Sequence, residues 1–240
     1  MRQKQICCLF LAIITMACSH IEIEEPYLIP MHLKATERHD VLCIGNSITY
    51  HAPSPNLGWY SAWGMAATKP EKDYCHVLES MLKAKNTNST VTPLNIAAWE
   101  RNPLLNIDSL LGDFISGKDI IIIRIGENVE DVSLFQERIY DLLATCLRQT
   151  NHIVVTGCFW YDDYVDRCLK RTAMLYGLNF IPLTNILHDN GRSVISNEHL
   201  IYYDTSGNPY HQSNSHVMNH PNDEGMRMIA ETIYRTLFQP

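Results

Sequence analysis

Apolar and polar positions alternate along the chain in two rhythms. Compact apolar runs of strand length occur at Asp40–Ile44 (DVLCI), Val91–Ala97, Ile120–Ile125 (IIIIRI), His152–Thr156 (HIVVT) and Leu178–Ile181. The Ile120–Ile125 run is almost wholly β-branched, which implies burial on both faces, as in a parallel sheet. Between these runs, apolar residues recur at helical spacing. The spacing predicts helices over Asp73–Ala84, Leu104–Phe114, Ser133–Arg148, Tyr161–Tyr176 and Asn222–Leu237. Strands alternating with helices predict a doubly wound α/β sandwich with right-handed crossovers. In such sheets, sites gather beyond the carboxyl ends of the strands.

The first residues follow neither rhythm. Arg2 and Lys4 precede an apolar stretch from Ile6 to Ala17, and Ala17-Cys18-Ser19 follows. The stretch is short for a bilayer span and reads as an export leader. Its end resembles a bacterial lipoprotein signal with Cys18 as the lipidated residue, although Thr15 stands where leucine is usual. Simple cleaved secretion and an uncleaved anchor are the alternatives. The expected division is 1–18 leader, 19–37 tether and 38–240 a single domain. A 240-residue chain suits that plan, with 46% hydrophobic and 19% charged residues.

Charge narrows the partners. The formal net charge is −7. Without Arg2 and Lys4 it becomes −9, from 17 basic and 26 acidic residues. An acidic domain repels phosphate backbones, so no nucleic-acid partner is expected. Beyond the leader the cysteines are Cys43, Cys75, Cys146, Cys158 and Cys168, an odd number without a C-x-x-C pair. They indicate neither a zinc cage nor a complete disulfide framework. His211, His216 and His220 are spaced by five and four, but Asn219 and Pro221 argue against a helix there. No HExxH motif occurs, and neither metal nor cofactor is expected.

Three segments lie where the strand pattern ends. Gly45-Asn46-Ser47-Ile48-Thr49 follows the first strand, Gly126-Glu127-Asn128 the third, and His220-Pro221-Asn222-Asp223-Glu224-Gly225-Met226 leads into the last helix. Taken singly, each has a plain structural reading: a cap serine, a turn asparagine and a loop histidine. Together and in order they resemble the SGNH hydrolase superfamily, the GDSL esterases and lipases, over roughly residues 38–238. The resemblance implies a three-layer α/β/α flavodoxin-like sandwich with about five parallel strands. It implies Ser47 as nucleophile, His220 as general base, and Asn128 as an oxyanion donor with the Ser47 N–H.

Two positions depart from the family pattern. Val217 stands three residues before His220, where the family usually has an aspartate. Either the Val217 main-chain carbonyl orients the imidazole, which is the favoured reading, or a distant carboxylate such as Asp204 or Glu198 does. Asp223 is assigned to the helix cap instead. Glu100 stands where the second family block has a glycine whose N–H serves the oxyanion. The Glu100 N–H could still donate, but its carboxylate needs neutralising. Arg124, inside a buried strand, needs a partner in turn. An Arg124–Glu100 ion pair is therefore expected, with Glu127 as the competing partner.

Trp59, Tyr60 and Trp63, set among Gly58 and Gly64, are candidates for a substrate cleft or for a flap over the core. Tyr203, with Tyr202 and Tyr210, could form the opposite wall. The reading is an exported or lipid-anchored serine ester hydrolase, a carbohydrate O-acetylesterase acting on a small-molecule or glycan ester. The alternatives are a lipase or thioesterase for longer acyl chains, and a glycan-binding module that has lost its acid.

Overall fold

The computed structural model describes residues 25–238; the leader and Cys18 lie outside the described residues. In chain order the strands and α-helices are β1 (Asp40–Gly45), α1 (Tyr74–Lys83), β2 (Thr90–Asn95), α2 (Ala97–Arg101), α3 (Ile107–Leu111), β3 (Ile120–Arg124), α4 (Val132–Leu147) and β4 (Ile153–Thr156). They continue as α5 (Asp163–Leu175), β5 (Asn179–Ile181), α6 (Thr184–Asn190), β6 (Ile201–Tyr203), β7 (Pro209–His211), α7 (Ser215–Met218) and α8 (Asp223–Phe238). The first five strands form one parallel sheet in the order β2-β1-β3-β4-β5, with β6 and β7 paired as a separate antiparallel hairpin. This is the doubly wound sandwich that the pattern predicts, with its switch point between β1 and β3.

Strand geometry divides the core in two. Side chains alternate across the sheet, so Val41 and Cys43 join the apolar layer containing α1 and α8, whereas Leu42 and Ile44 join the layer containing α4 and α5. β3 repeats the division with Ile120 and Ile122 against Ile121 and Ile123. Every residue of β3 is buried, Arg124 included. Helix ends follow cap chemistry: the side chains of Asp73, Asn106, Asp131 and Asp162 accept N–H bonds from the first turns of α1, α3, α4 and α5. The helix predicted over Leu104–Phe114 is the shorter α3, because Asn106 caps it and Gly112 ends it at a φ of 43°.

Within the stretch expected as a tether, Tyr27 exchanges two main-chain hydrogen bonds with Phe180, of 2.9 and 2.8 Å. Met31, Leu33 and Ala35 pack on the core. The five cysteines beyond the leader are free and buried.

Gly45 fixes the turn out of β1. A Cβ at this position would collide with Thr49 Oγ1 and lie 2.8 Å from the Arg124 carbonyl oxygen. Gly45→Ala is therefore expected to destabilise the fold by about 1–3 kcal/mol, read as a lowered urea midpoint. An unchanged midpoint would show that the turn relaxes freely.

Candidate active site

The β1 turn presents Ser47 at the carboxyl edge of the sheet. Thr49 and Tyr50 donate their N–H groups to the Asn46 carbonyl, and the Met65 N–H binds the Ser47 carbonyl at 2.8 Å. Among the described residues no acceptor engages the Ser47 N–H. From the far end of the chain, the loop between α7 and α8 brings His220 to the same edge. Asn222 anchors that loop: its Oδ1 caps α8 at Glu224 and Gly225, and its Nδ2 donates to the Ser193 and Ile195 carbonyls. The Ser47 Oγ and His220 Nε2 atoms stand 2.8 Å apart.

Behind the ring, His220 Nδ1 lies 2.8 Å from the main-chain oxygen of His216. A carbonyl only accepts, so the proton belongs on Nδ1, and Nε2 is left to accept from the Ser47 hydroxyl. The orienter is thus the carbonyl of His216 rather than that of Val217. The Val217 carbonyl accepts the main-chain N–H of His220 at 3.0 Å, and the Val217 side chain is fully buried. α7 is a single helical turn, and such a turn aims the carbonyl four residues back toward the following side chain. Asp204 is not the orienter either. Its carboxylate closes its own turn, accepting from the N–H groups of Ser206 and Asn208. Asp223 holds Thr68 through the N–H and hydroxyl, leaving the α8 cap to Asn222.

Beneath the serine lies a buried polar cluster. Arg124, fully buried, makes a two-pronged ion pair with Glu127 at 2.8 and 2.7 Å and donates to Asn46 Oδ1 at 2.7 Å. The expected Arg124–Glu100 pair is therefore replaced by Arg124–Glu127, which a three-residue separation within one turn makes the shorter reach. Asn46 Nδ2 bridges the two carboxylates, at 2.6 Å from Glu127 and 3.1 Å from Glu100. Glu100, also fully buried, accepts further from the Gly126 N–H and, at 2.6 Å, from Asn128 Nδ2. Burial first, and the Glu127 charge second, push its pKa up to about 7 against these three donors.

The Glu100 N–H is not an oxyanion donor here. Glu100 lies in α2, and its N–H is bonded to the Ile96 carbonyl at 3.2 Å.

The aromatic candidates separate. Trp59 and Trp63 are core residues, 0% and 5% exposed, with ring N–H groups donating to the His51 and Ala67 carbonyls. They form the flap over the core rather than a cleft wall, because Gly64 packs so closely that a Cβ would lie 2.6 Å from the Ile48 carbonyl. Tyr202 is buried as well, and Tyr203 is half-buried beneath Lys69, whose Nζ sits 4.4 Å from its ring centroid. The aromatic residue at the pair is Trp160, half-buried just past β4, its ring edge-on to His220 at 5.6 Å between centroids. Neither Trp160 nor Asn46 stands out in the sequence. The signal for Asn46 was the lone arginine in β3, which demanded polar company. Five cavities of about 200 to 710 Å³ among the described residues are lined by neither Ser47 nor His220.

Two measurements test this geometry. Desolvation lowers the His220 pKa to about 4 from the ordinary 6.5; the His216 carbonyl works upward, while the Arg124 charge adds to the lowering. An imidazole with a lowered pKa stays neutral further into acid, so any hydrolysis that uses His220 as its base is expected to show the acid limb of kcat/KM below pH 6.5. A limb at or above that value would contradict the desolvation of this half-buried ring. Arg124→Met should cost about 3–5 kcal/mol in urea unfolding, since it strands buried carboxylates. A loss under 1 kcal/mol would mean that the cluster tolerates an unpaired charge.

No family model and no curated relative matches the chain. Similar solved structures exist. One is a two-domain esterase (CEX) active on acetylated mannans, co-crystallised with mannopentaose: 19% identity, TM-score 0.56, covering 85% of this chain and 50% of that one. A second is a catalytic mutant of Axe2, an acetylxylan esterase from Geobacillus stearothermophilus: 14% identity, TM-score 0.57, covering 83% and 94%. A third is LAE5, an alpha/beta hydrolase enzyme from the metagenome of Lake Arreo, Spain: 14% identity, TM-score 0.54, covering 85% and 98%. The chain spans about half the length of the two-domain esterase. At these identities the likeness is one of fold, and the fold this chain shares is that of α/β/α sandwiches with parallel five-stranded sheets.

Proposed function

We propose that the chain is a serine ester hydrolase of the SGNH type that removes small acyl groups, acetyl above all, from carbohydrate. The observation that carries this reading is the 2.8 Å contact between Ser47 Oγ and His220 Nε2 with Nδ1 tied to a carbonyl. The arrangement is a dyad backed by a dipole. His220 Nε2 takes the hydroxyl proton as Oγ attacks the ester carbonyl. The Ser47 N–H and the Asn128 amide stabilise the oxyanion. The imidazolium then protonates the departing alcohol, and water repeats the sequence to release the acid. The His216 carbonyl supplies orientation and a partial negative charge, less than a carboxylate would.

The substrate class rests on the neighbours, which are esterases of acetylated mannan and acetylated xylan by their own descriptions, and on Trp160 beside His220 as a face for a sugar ring. A base held in hydrogen-bond reach of its nucleophile, with an acceptor behind it, weighs against a non-catalytic glycan-binding module. Export, with Cys18 lipidated, belongs to the same proposal; no described helix is long and apolar enough to cross a membrane.

Ser47→Ala is expected to abolish both fluorophosphonate labelling and release of acetate from acetylated oligosaccharides. Persistent turnover in that variant would end the assignment. A screen of ester chain length should favour acetyl over octanoyl, and the reverse preference would turn the reading toward a lipase or thioesterase.

A further inference from the structure

α2 delivers two consecutive residues to one amide. Glu100 Oε2 accepts from Asn128 Nδ2 at 2.6 Å, and Arg101 Nη2 donates to Asn128 Oδ1 at 3.1 Å. Glu100 is directed inward and fully buried, whereas Arg101 is exposed. We propose that Glu100 and Arg101 are positioning residues that clamp the Asn128 amide from both ends and aim its remaining Nδ2–H at the oxyanion. The inference rests on the hydrolase reading above.

The argument is one of valence and planarity. An asparagine side chain offers two donors on nitrogen and an acceptor on oxygen. The clamp uses the oxygen and one N–H, and the amide plane then fixes the direction of the other. It also reads the amide's polarity. Turned end for end, the amide would set NH₂ against a guanidinium and a carbonyl against a carboxylate, so the flipped state is excluded. The jaws are themselves held: the Gly126 N–H and Asn46 Nδ2 both bind Glu100 Oε1, and the Gly126 turn has a φ of 134°. Preorganised donors are what stabilise a developing oxyanion, because they need not turn during the reaction. A carboxylate so close to an oxyanion opposes it by charge, and the Arg101 cation across the same amide offsets that.

This accounts for glutamate at a position where the family resemblance expects glycine. With the Glu100 N–H committed inside α2, its side chain serves the oxyanion site indirectly, through Asn128.

The test is a pair of double-mutant cycles on 4-nitrophenyl acetate. Asn128→Ala should lower kcat by about 10²–10³. Arg101→Met and Glu100→Gln should each lower kcat by about tenfold or more, with KM changed less than about twofold, as loss of a purely transition-state contribution requires. In the Asn128→Ala background both substitutions should have no further effect on kcat. Equal effects in the two backgrounds would overturn the clamp, as would an Arg101→Met change confined to KM, which would make Arg101 a direct substrate contact. Arg101 is exposed, so its cycle remains decisive even if Glu100→Gln fails to fold. Ser47→Ala, run alongside, separates the two claims. If it stays active, the hydrolase reading falls. If it is inactive and the cycles are additive, only the clamp falls.

Discussion

The burial of one positive charge organises this molecule. Arg124 ends a strand otherwise made of isoleucine, in the middle of a sheet covered on both faces. A guanidinium there needs acceptors, and Glu127 and Asn46 supply them to both terminal nitrogens, leaving only the buried Nε–H without one among the described residues. Asn46 directly precedes Ser47, so the demand of Arg124 for an acceptor fixes the peptide that carries that serine. The same asparagine reaches Glu100, and Glu100 reaches Asn128. Electrostatic satisfaction in the core and geometry at the surface are thus the same set of contacts.

The switch point of the sheet explains why these residues can meet. β1 lies between β2 and β3, so the turns that leave the three strands emerge side by side. They bring the Asn46–Ser47 turn, α2 with Glu100, and the Gly126–Asn128 turn to one edge. Only His220 has to come from elsewhere, and Asn222 stitches its loop to the carbonyls of Ser193 and Ile195. His220 therefore depends on a loop tied along the 193–196 segment, where its own carbonyl accepts the Ser196 N–H at 2.9 Å, whereas Ser47 depends on the core.

How much of this could be read from the residues follows from the range of each interaction. The parallel strands were legible because a β-branched run buried on both faces has few alternatives, and the long helices because their apolar periodicity extends over several turns. α2, α7 and the strands β6 and β7 span three to five residues each, too short for periodicity to register. At the site, the residue types showed that Ser47, His220 and Asn128 emerge at strand ends or loops, and that Arg124 and Glu100 needed neutralising. They did not show which acid Arg124 would choose, since that depends on a turn three residues long. Counting side chains pointed to Val217, whereas a helical turn offers the carbonyl of His216, a main-chain atom that any sequence would supply. The tryptophans misled for a related reason: glycines beside aromatic rings permit tight packing as readily as they open a cleft.

The inward course of residue 217 bears on what a substitution there could achieve. Its side chain belongs to the apolar layer beneath α8 rather than to the rim where the imidazole lies. An aspartate grafted there would sink a carboxylate into hydrocarbon and leave the ring no nearer to an acid. Bringing an acid behind the ring from this position would require rebuilding the α7 turn, so the tie between His220 and a peptide dipole is here a property of backbone shape, which a point mutation cannot readily reverse.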